Sequence, residues 1–280
     1  MDLKQLLMNL DKEDIKKMTR VEITALTYEM LDQLGSTDAE LRDGLIYPIF
    51  VDIIESGQLG DGELNRIVEV CLDEKHLFYK LGEEGDSVFM RSFSSLIIAE
   101  LLIADVKNNF LSTEAFSNLF DKAIWYIAGE KDTRGYVADK GWAHSIAHGA
   151  DMLVCFAANP AFTADKIQAT LDVVENCLFK GAVYVDDEDV RLVYVVKAMM
   201  KKGLSEEELT GWLESMTEKL ELLYITEPHD HKTYRNLKSV RDFMESLYFN
   251  LKIEGGYMGM RVALFNGIRD LHKLQYGGAD

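Results

Sequence analysis

Prolines occur in this chain only at Pro48, Pro160 and Pro228, and between them the apolar residues return at intervals of three and four. That interval is the period of an α-helix rather than the alternation of a strand, so an all-α protein is predicted. Its boundaries are written chemically. Thr37 followed by Glu40, and Ser205 followed by Glu208, have the form of capping boxes, and Gly35, Gly57, Gly181 and Gly203 stand where helices should stop. These marks predict helices at 20–34, 38–56, 62–73, 87–109, 113–129, 141–158, 164–179, 187–202, 206–225, 232–253 and 257–275.

Long helices joined by short loops must be antiparallel neighbours, because a short loop leaves no room for a crossover. Hairpins between 113 and 225 recur at a spacing of about 40 residues, within the HEAT and armadillo range. The expected architecture is therefore a stack of antiparallel hairpins forming an α-solenoid, with an irregular helical bundle as the alternative. The whole chain, 1–280, reads as a single all-helical domain, or as two packed halves, 1–110 and 111–280.

With 30 Lys and Arg against 48 Asp and Glu, the net charge is −18. A surface of that sign repels nucleic acid and anionic membranes, so neither is an expected partner; a protein or a small molecule is. The first residues, Met1–Gln5, lack the pattern of a signal peptide, and the apolar stretch Leu96–Val106 is interrupted by Glu100 and Asp105. No run approaches the roughly 20 residues that span a bilayer, and a cytoplasmic setting is the expectation. Cys71, Cys155 and Cys177 lie among apolar neighbours without C-x-x-C spacing and read as reduced core thiols. Lys232, Arg235, Lys238 and Arg241 could form a basic stripe, but read more simply as a solvated face, and Asp186–Asp189 as negative charge at a helix start.

The run Arg134–Asp151 differs from the rest, holding two of the six histidines. If it is helical from Gly141 onward, Gly141, His144, Ala147, His148, Asp151 and Cys155 share one stripe on a mostly apolar cylinder, and the buried polar groups there need partners. His144 and His148 stand one turn apart, a spacing a divalent metal can chelate, with Asp139 and Glu188 as the nearest further ligands. Asp151 lies about 10.5 Å along the axis from His144, too far to join both histidines on one ion. Asp151 can instead orient His148, leaving an imidazole to move protons; His144, His148 and Asp151 are thus the catalytic candidates. Ser145 points away from His144 and Cys155 lies two turns below His148, so neither is placed as a nucleophile. A structural reading is that Gly141, Gly149 and the alanines permit close packing, Trp142 fills core, and Asp132, Arg134 and Asp139 close the preceding loop. Arg91, flanked by Phe89 and Phe93, is expected to face inward and to require a carboxylate, Asp151 or Asp132.

These residues carry a resemblance. The run from Arg134 to Asp151, with Val88–Ser94 upstream and Asp187–Leu192 downstream, resembles a bacterial family of unknown function, domain of unknown function 2785, whose members carry R-G-Y/F-V and then G-W-A-H-x-x-A-H-x-A-D. The resemblance implies an all-helical, repeat-like bacterial domain and implies no activity.

The expected function is a binding or interaction module with a polar site drawn from Arg91, Asp132, Arg134, Asp139, Trp142, His144, His148 and Asp151. The alternative is a hydrolase-type enzyme using His144, His148 and Asp151. No cofactor is predicted, a divalent metal on His144 and His148 being the lesser alternative.

Overall fold

A computed structural model describes residues 2–277, and those residues form an all-α protein with thirteen α-helices. The chain divides after Phe162 into two compact units. The first contains α1 (Leu3–Met8), α2 (Lys12–Lys17), α3 (Arg20–Asp32), a π-helical stretch (Glu40–Ile46) running into α4 (Tyr47–Ser56), α5 (Asp61–Cys71), α6 (Ser87–Asn108) and α7 (Thr113–Gly129). A two-stranded hairpin, β1 (Tyr136–Val137) with β2 (Gly141–Trp142), leads into α8 (Ser145–Ala158). The second unit contains a 3-10 turn (Ala164–Lys166), α9 (Ile167–Leu178), α10 (Glu188–Lys201), α11 (Glu206–Thr226), α12 (His231–Glu254) and α13 (Met258–Tyr276).

The helix ends follow their caps. Ser205 and Glu208 form the expected reciprocal box, as do Thr19 and Glu22, which begin α3. At the predicted box of Thr37 and Glu40 the capping oxygen is instead that of Asp38, which accepts the Leu41 amide at 3.2 Å. The chain enters there through the π-helical stretch, a geometry that occurs mainly in short pieces at functional sites.

The first unit is built around α6 and α8. Ser92, Ser94, Ser95 and Ala99 on α6, and Ala147 and Ala150 on α8, are buried, and side chains this small let two helix backbones approach. Ser94 and Ser95 donate to the carbonyls of Met90 and Ser92 on their own helix, each at 2.6 Å, so their burial strands no hydroxyl. Where the sequence suggests no membrane-length segment, α6 is, among the described residues, the one helix long and apolar enough to cross a bilayer; 78% of that window is buried within the protein. Its two interrupting acids are paired: Glu100 accepts the Tyr47 hydroxyl at 2.7 Å, and Asp105 accepts the Leu111 amide and the Asn159 side chain, each at 2.7 Å. It is built as a core helix.

In the second unit α12 packs against α10, α11 and α13, and α11 against α13. The basic stripe on α12 is partly neutralised: Lys238 pairs with Asp242, and Arg241 reaches Gln275 and Glu245. Within the acidic run, Glu188 is buried and turns back to accept the Asp186 amide at 3.0 Å, while Asp189 accepts the Ser246 hydroxyl at 2.8 Å. Burial raises the Glu188 carboxyl above its ordinary range.

The predicted helix 141–158 is the main correction. Helix begins only at Ser145, because Tyr136 and Val137 pair with Trp142 and Gly141 around a turn in which Asp139 has a φ of 63°. Gly141 has a φ of 79°, and a Cβ there would lie 2.7 Å from the Ala39 Cβ and 2.8 Å from Asp43 Oδ2. Only glycine meets both demands. Gly141→Ala should therefore destabilise by at least about 2 kcal/mol in urea denaturation. Gly44→Ala, with nothing within 4 Å of its added carbon, should change stability by less than about 1 kcal/mol.

Candidate functional site

The hairpin is held by one buried cation. Arg42, on the π-helical stretch and 0% exposed, donates from Nη1 to the Ser36 carbonyl and from Nη2 to the carbonyls of Lys140 at 2.7 Å and Trp142 at 3.4 Å. Its Nε lies 2.7 Å from Asp43 Oδ1, and its Cζ sits 4.1 and 4.8 Å from the ring centroids of Phe89 and Phe93. A guanidinium removed from water needs such carbonyl acceptors, a paired carboxylate and ring faces. Burial raises the Asp43 carboxyl above its ordinary value, with Arg42 opposing the shift.

Past the hairpin the chain turns through His144, a non-glycine residue at a φ of 47° that serves as N-cap residue of α8. The His144 ring stacks on Trp142 at 4.3 Å between centroids and stands perpendicular to the His148 ring at 5.7 Å. Phe93, one face of the Arg42 sandwich, meets His148 edge-on at 5.4 Å.

Ser92 fixes the protonation pattern of His148. Its hydroxyl donates to the Ala143 carbonyl, which can only accept, so the 2.8 Å contact between Ser92 Oγ and His148 Nδ1 has the imidazole N–H as donor. Neutral His148 therefore carries its proton on Nδ1 and its lone pair on Nε2. The sequence offers Asp151 for the orienting role; for Nδ1 the structure supplies Ser92 instead.

Below His148, Asp151 and Cys155 continue the predicted stripe down α8, all half-buried. Tyr47 from α4 and Glu100 from α6 join them. Burial, then the bond to Glu100 and the charges of Glu100 and Asp151, push the Tyr47 hydroxyl well above its ordinary value. Burial pushes the Cys155 thiol up to about 12, with Glu100 and Asp151 adding to the shift. Asp151 is thus near enough to bear electrostatically on both groups. The wall so formed carries two carboxyl groups, a phenol, a thiol and an imidazole lone pair.

The other predicted binding residues brace the loop rather than join this wall. Arg91, 0% exposed, makes a two-pronged pair with Glu130 at 2.7 and 2.8 Å, and its remaining donors reach the carbonyls of Tyr79, Lys80 and Glu83 and the Ser87 hydroxyl. The carboxylate offered by the sequence is Asp151 or Asp132; Glu130, at the C-terminal end of α7, takes the place of both and meets the guanidinium with both of its oxygens. Asp132 accepts the Gly85 amide at 2.9 Å and Arg134 Nε at 2.8 Å, and the Ser145 hydroxyl donates to the Asp132 carbonyl. Asp139 is exposed at the hairpin turn. Trp142, read as core, is instead 40% exposed, with Tyr136 edge-on at 5.1 Å. Sequence reasoning missed Arg42, Asp43 and Tyr47 altogether and named Glu100 only as an acid interrupting an apolar stretch. Ser92 was present only as part of the run Val88–Ser94.

Burial alone would raise Asp132, but the Arg134 side chain and the amides of Gly85 and Arg134 outweigh it and hold the carboxyl below its ordinary range. A depressed folded value gives stability that is complete above the unfolded carboxyl's pKa of about 4 and is lost as pH falls through the folded value. Asp132→Asn should lower stability at pH 7 and flatten the acid limb of the stability curve, read from urea midpoints across pH 2–7.

Neither a curated protein nor a solved structure matches this chain. The family model described as a protein of unknown function (DUF2785) matches residues 77–249, from before α6 to within α12, and so includes His144, His148 and Asp151. That is more than half of the chain, and the chain belongs to this family of proteins of unknown function.

Proposed function

We propose that the first unit is a ligand-binding module whose site is the α8 wall of His148 and Asp151, with His144 and Trp142 at one end and Tyr47 and Glu100 at the other. The observation that carries this reading is the Ser92 bond to His148 Nδ1. A bond from a neighbouring group to one ring nitrogen is how proteins aim the lone pair of the other at something. The wall is rich in acceptors, with Glu100 and Asp151 adding negative charge, so its ligand brings positive charge and donors: an organic ammonium or a divalent cation.

The hydrolase reading has less support, because the candidate nucleophiles are committed. The Ser92 and Ser145 hydroxyls donate to the carbonyls of Ala143 and Asp132, and the Cys155 thiol is protonated at neutral pH. Imidazole acid–base work would remain for His144 and His148. The repeat architecture belongs to the same proposal: in the second unit α11, α12 and α13 follow one another through short connections, as hairpin stacking requires. So does a bacterial cytoplasmic setting, which three free thiols fit.

The test is imidazole ¹⁵N NMR of the full chain. Neutral His148 should show the Nδ1–H tautomer, and Ser92→Ala should abolish that preference. Titration with putrescine or Zn²⁺ should perturb His148 Nε2, titration with acetate or phosphate should not, and Asp151→Asn should weaken the response at least tenfold. A response to the anions, or none to either cation, overturns the proposal.

A further inference from the structure

A cavity of about 530 Å³ opens in the second unit between α9 and α11, beside the turn that joins α10 to α11. Its floor includes the buried side chains of Leu171, Leu204 and Trp212, and three carboxylates line it as well, those of Asp172, Glu175 and Glu208. Each carboxylate keeps one oxygen uncommitted among the described residues. Gln168 donates to Asp172 Oδ1, Lys219 pairs with Glu175 Oε1, and the Ser205 cap occupies Glu208 Oε2. Lys219 is, among the described residues, the one cation that answers these three charges.

The floor also holds an unmet donor. Trp212 is 8% exposed, with its ring edge-on to Phe243 at 6.0 Å between centroids, and its indole N–H has no acceptor among the described residues. The nitrogen is closed to solvent, so water does not meet the need either. Nearly every buried polar group in a folded chain finds a partner, and an orphan beneath a cavity calls for one from outside.

The two demands together select the occupant. A phosphate or a free carboxylate would accept from the indole but is repelled by the lining acids. A metal ion or a protonated polyamine meets the acids but offers the indole nothing that accepts a hydrogen bond. A peptide with Lys or Arg side chains does both, bringing cations to the carboxylates and backbone carbonyls to the floor. The length also fits: from Ile167 to Glu175 α9 rises about 12 Å, the span of about four residues of extended chain. We propose that the groove between α9 and α11 docks an extended basic segment of a partner protein, whose carbonyl accepts from Trp212 Nε1 and whose cations meet Asp172 and Glu208. The segment reaches the indole nitrogen by pressing into the floor, which makes that N–H the reporter of binding.

Proton–¹⁵N NMR of the full chain, titrated with the blocked peptide acetyl-Ala-Lys-Ala-Lys-Ala-amide, tests this. The Trp212 indole proton should move downfield as it gains an acceptor, while that of Trp125, exposed on α7, stays in place. Asp172→Lys should weaken the peptide at least tenfold with an unchanged thermal melt, since that residue is exposed. Spermidine, and the same peptide with Glu in place of Lys, should leave the Trp212 indole where it was. A Trp212 indole indifferent to the lysine peptide, an Asp172→Lys chain that binds as the parent does, or an equal shift from spermidine or from the glutamate peptide overturns the proposal.

Discussion

The buried guanidinium of Arg42 is the interaction on which the arrangement of the first unit depends. A full positive charge with no exposed surface persists only where acceptors and opposite charge surround it: the Ser36 carbonyl before the π-helical stretch and the Lys140 and Trp142 carbonyls of the hairpin accept from it, and the Asp43 carboxylate within the stretch lies beside Nε as its ion pair. The rings of Phe89 and Phe93 on α6 close the remaining sides. Satisfying one side chain therefore fixes the hairpin against both the π-helical stretch and α6. Everything at the imidazoles follows in sequence. The held hairpin places the Ala143 carbonyl against Ser92, Ser92 accepts the hydrogen bond of the His148 Nδ1–H, and Trp142 stacks on His144.

A second buried cation holds the other end of the same loop. Arg91 collects the ends of three segments, through Glu130 after α7, the carbonyls of Tyr79 and Lys80, and that of Glu83. Glu130 in turn accepts the amides of Lys131 and Asp132, and Asp132 binds Arg134 and Gly85. The loop between α7 and α8 is thus clamped at its start by Arg91 and at its hairpin by Arg42. Neither cation needs an outside ligand, whereas the α8 wall between them carries His148, Asp151 and Cys155, all half-buried. This contrast separates the bracing residues from the proposed site.

Helix boundaries were legible because caps and stop signals are local chemistry. The predicted 113–129 and 206–225 differ from α7 and α11 by at most one residue at an end. The short helices α1 and α2 escaped, six residues each offering too few periods to read. The hairpin escaped for a different reason: two-residue strands have no alternation to detect, and the constraint that makes them, the close approach of Gly141 to Ala39 and Arg42, joins segments about a hundred residues apart. His144 and His148 were legible as a pair because one helical turn separates them. Ser92, Tyr47 and Glu100 were not, since each reaches the site from a different helix and only packing brings them together.

Arg42 holds the hairpin and, through it, the imidazoles, and this dependence is measurable. Its most direct measurement is amide hydrogen exchange in Arg42→Met at the two amides that close the hairpin onto the preceding loop, Ala143 to the Gly135 carbonyl and His144 to the Arg134 carbonyl. Both should exchange about a hundredfold faster while the α7 amides keep their protection, a local opening rather than global unfolding. Unchanged protection at Ala143 and His144 would contradict it.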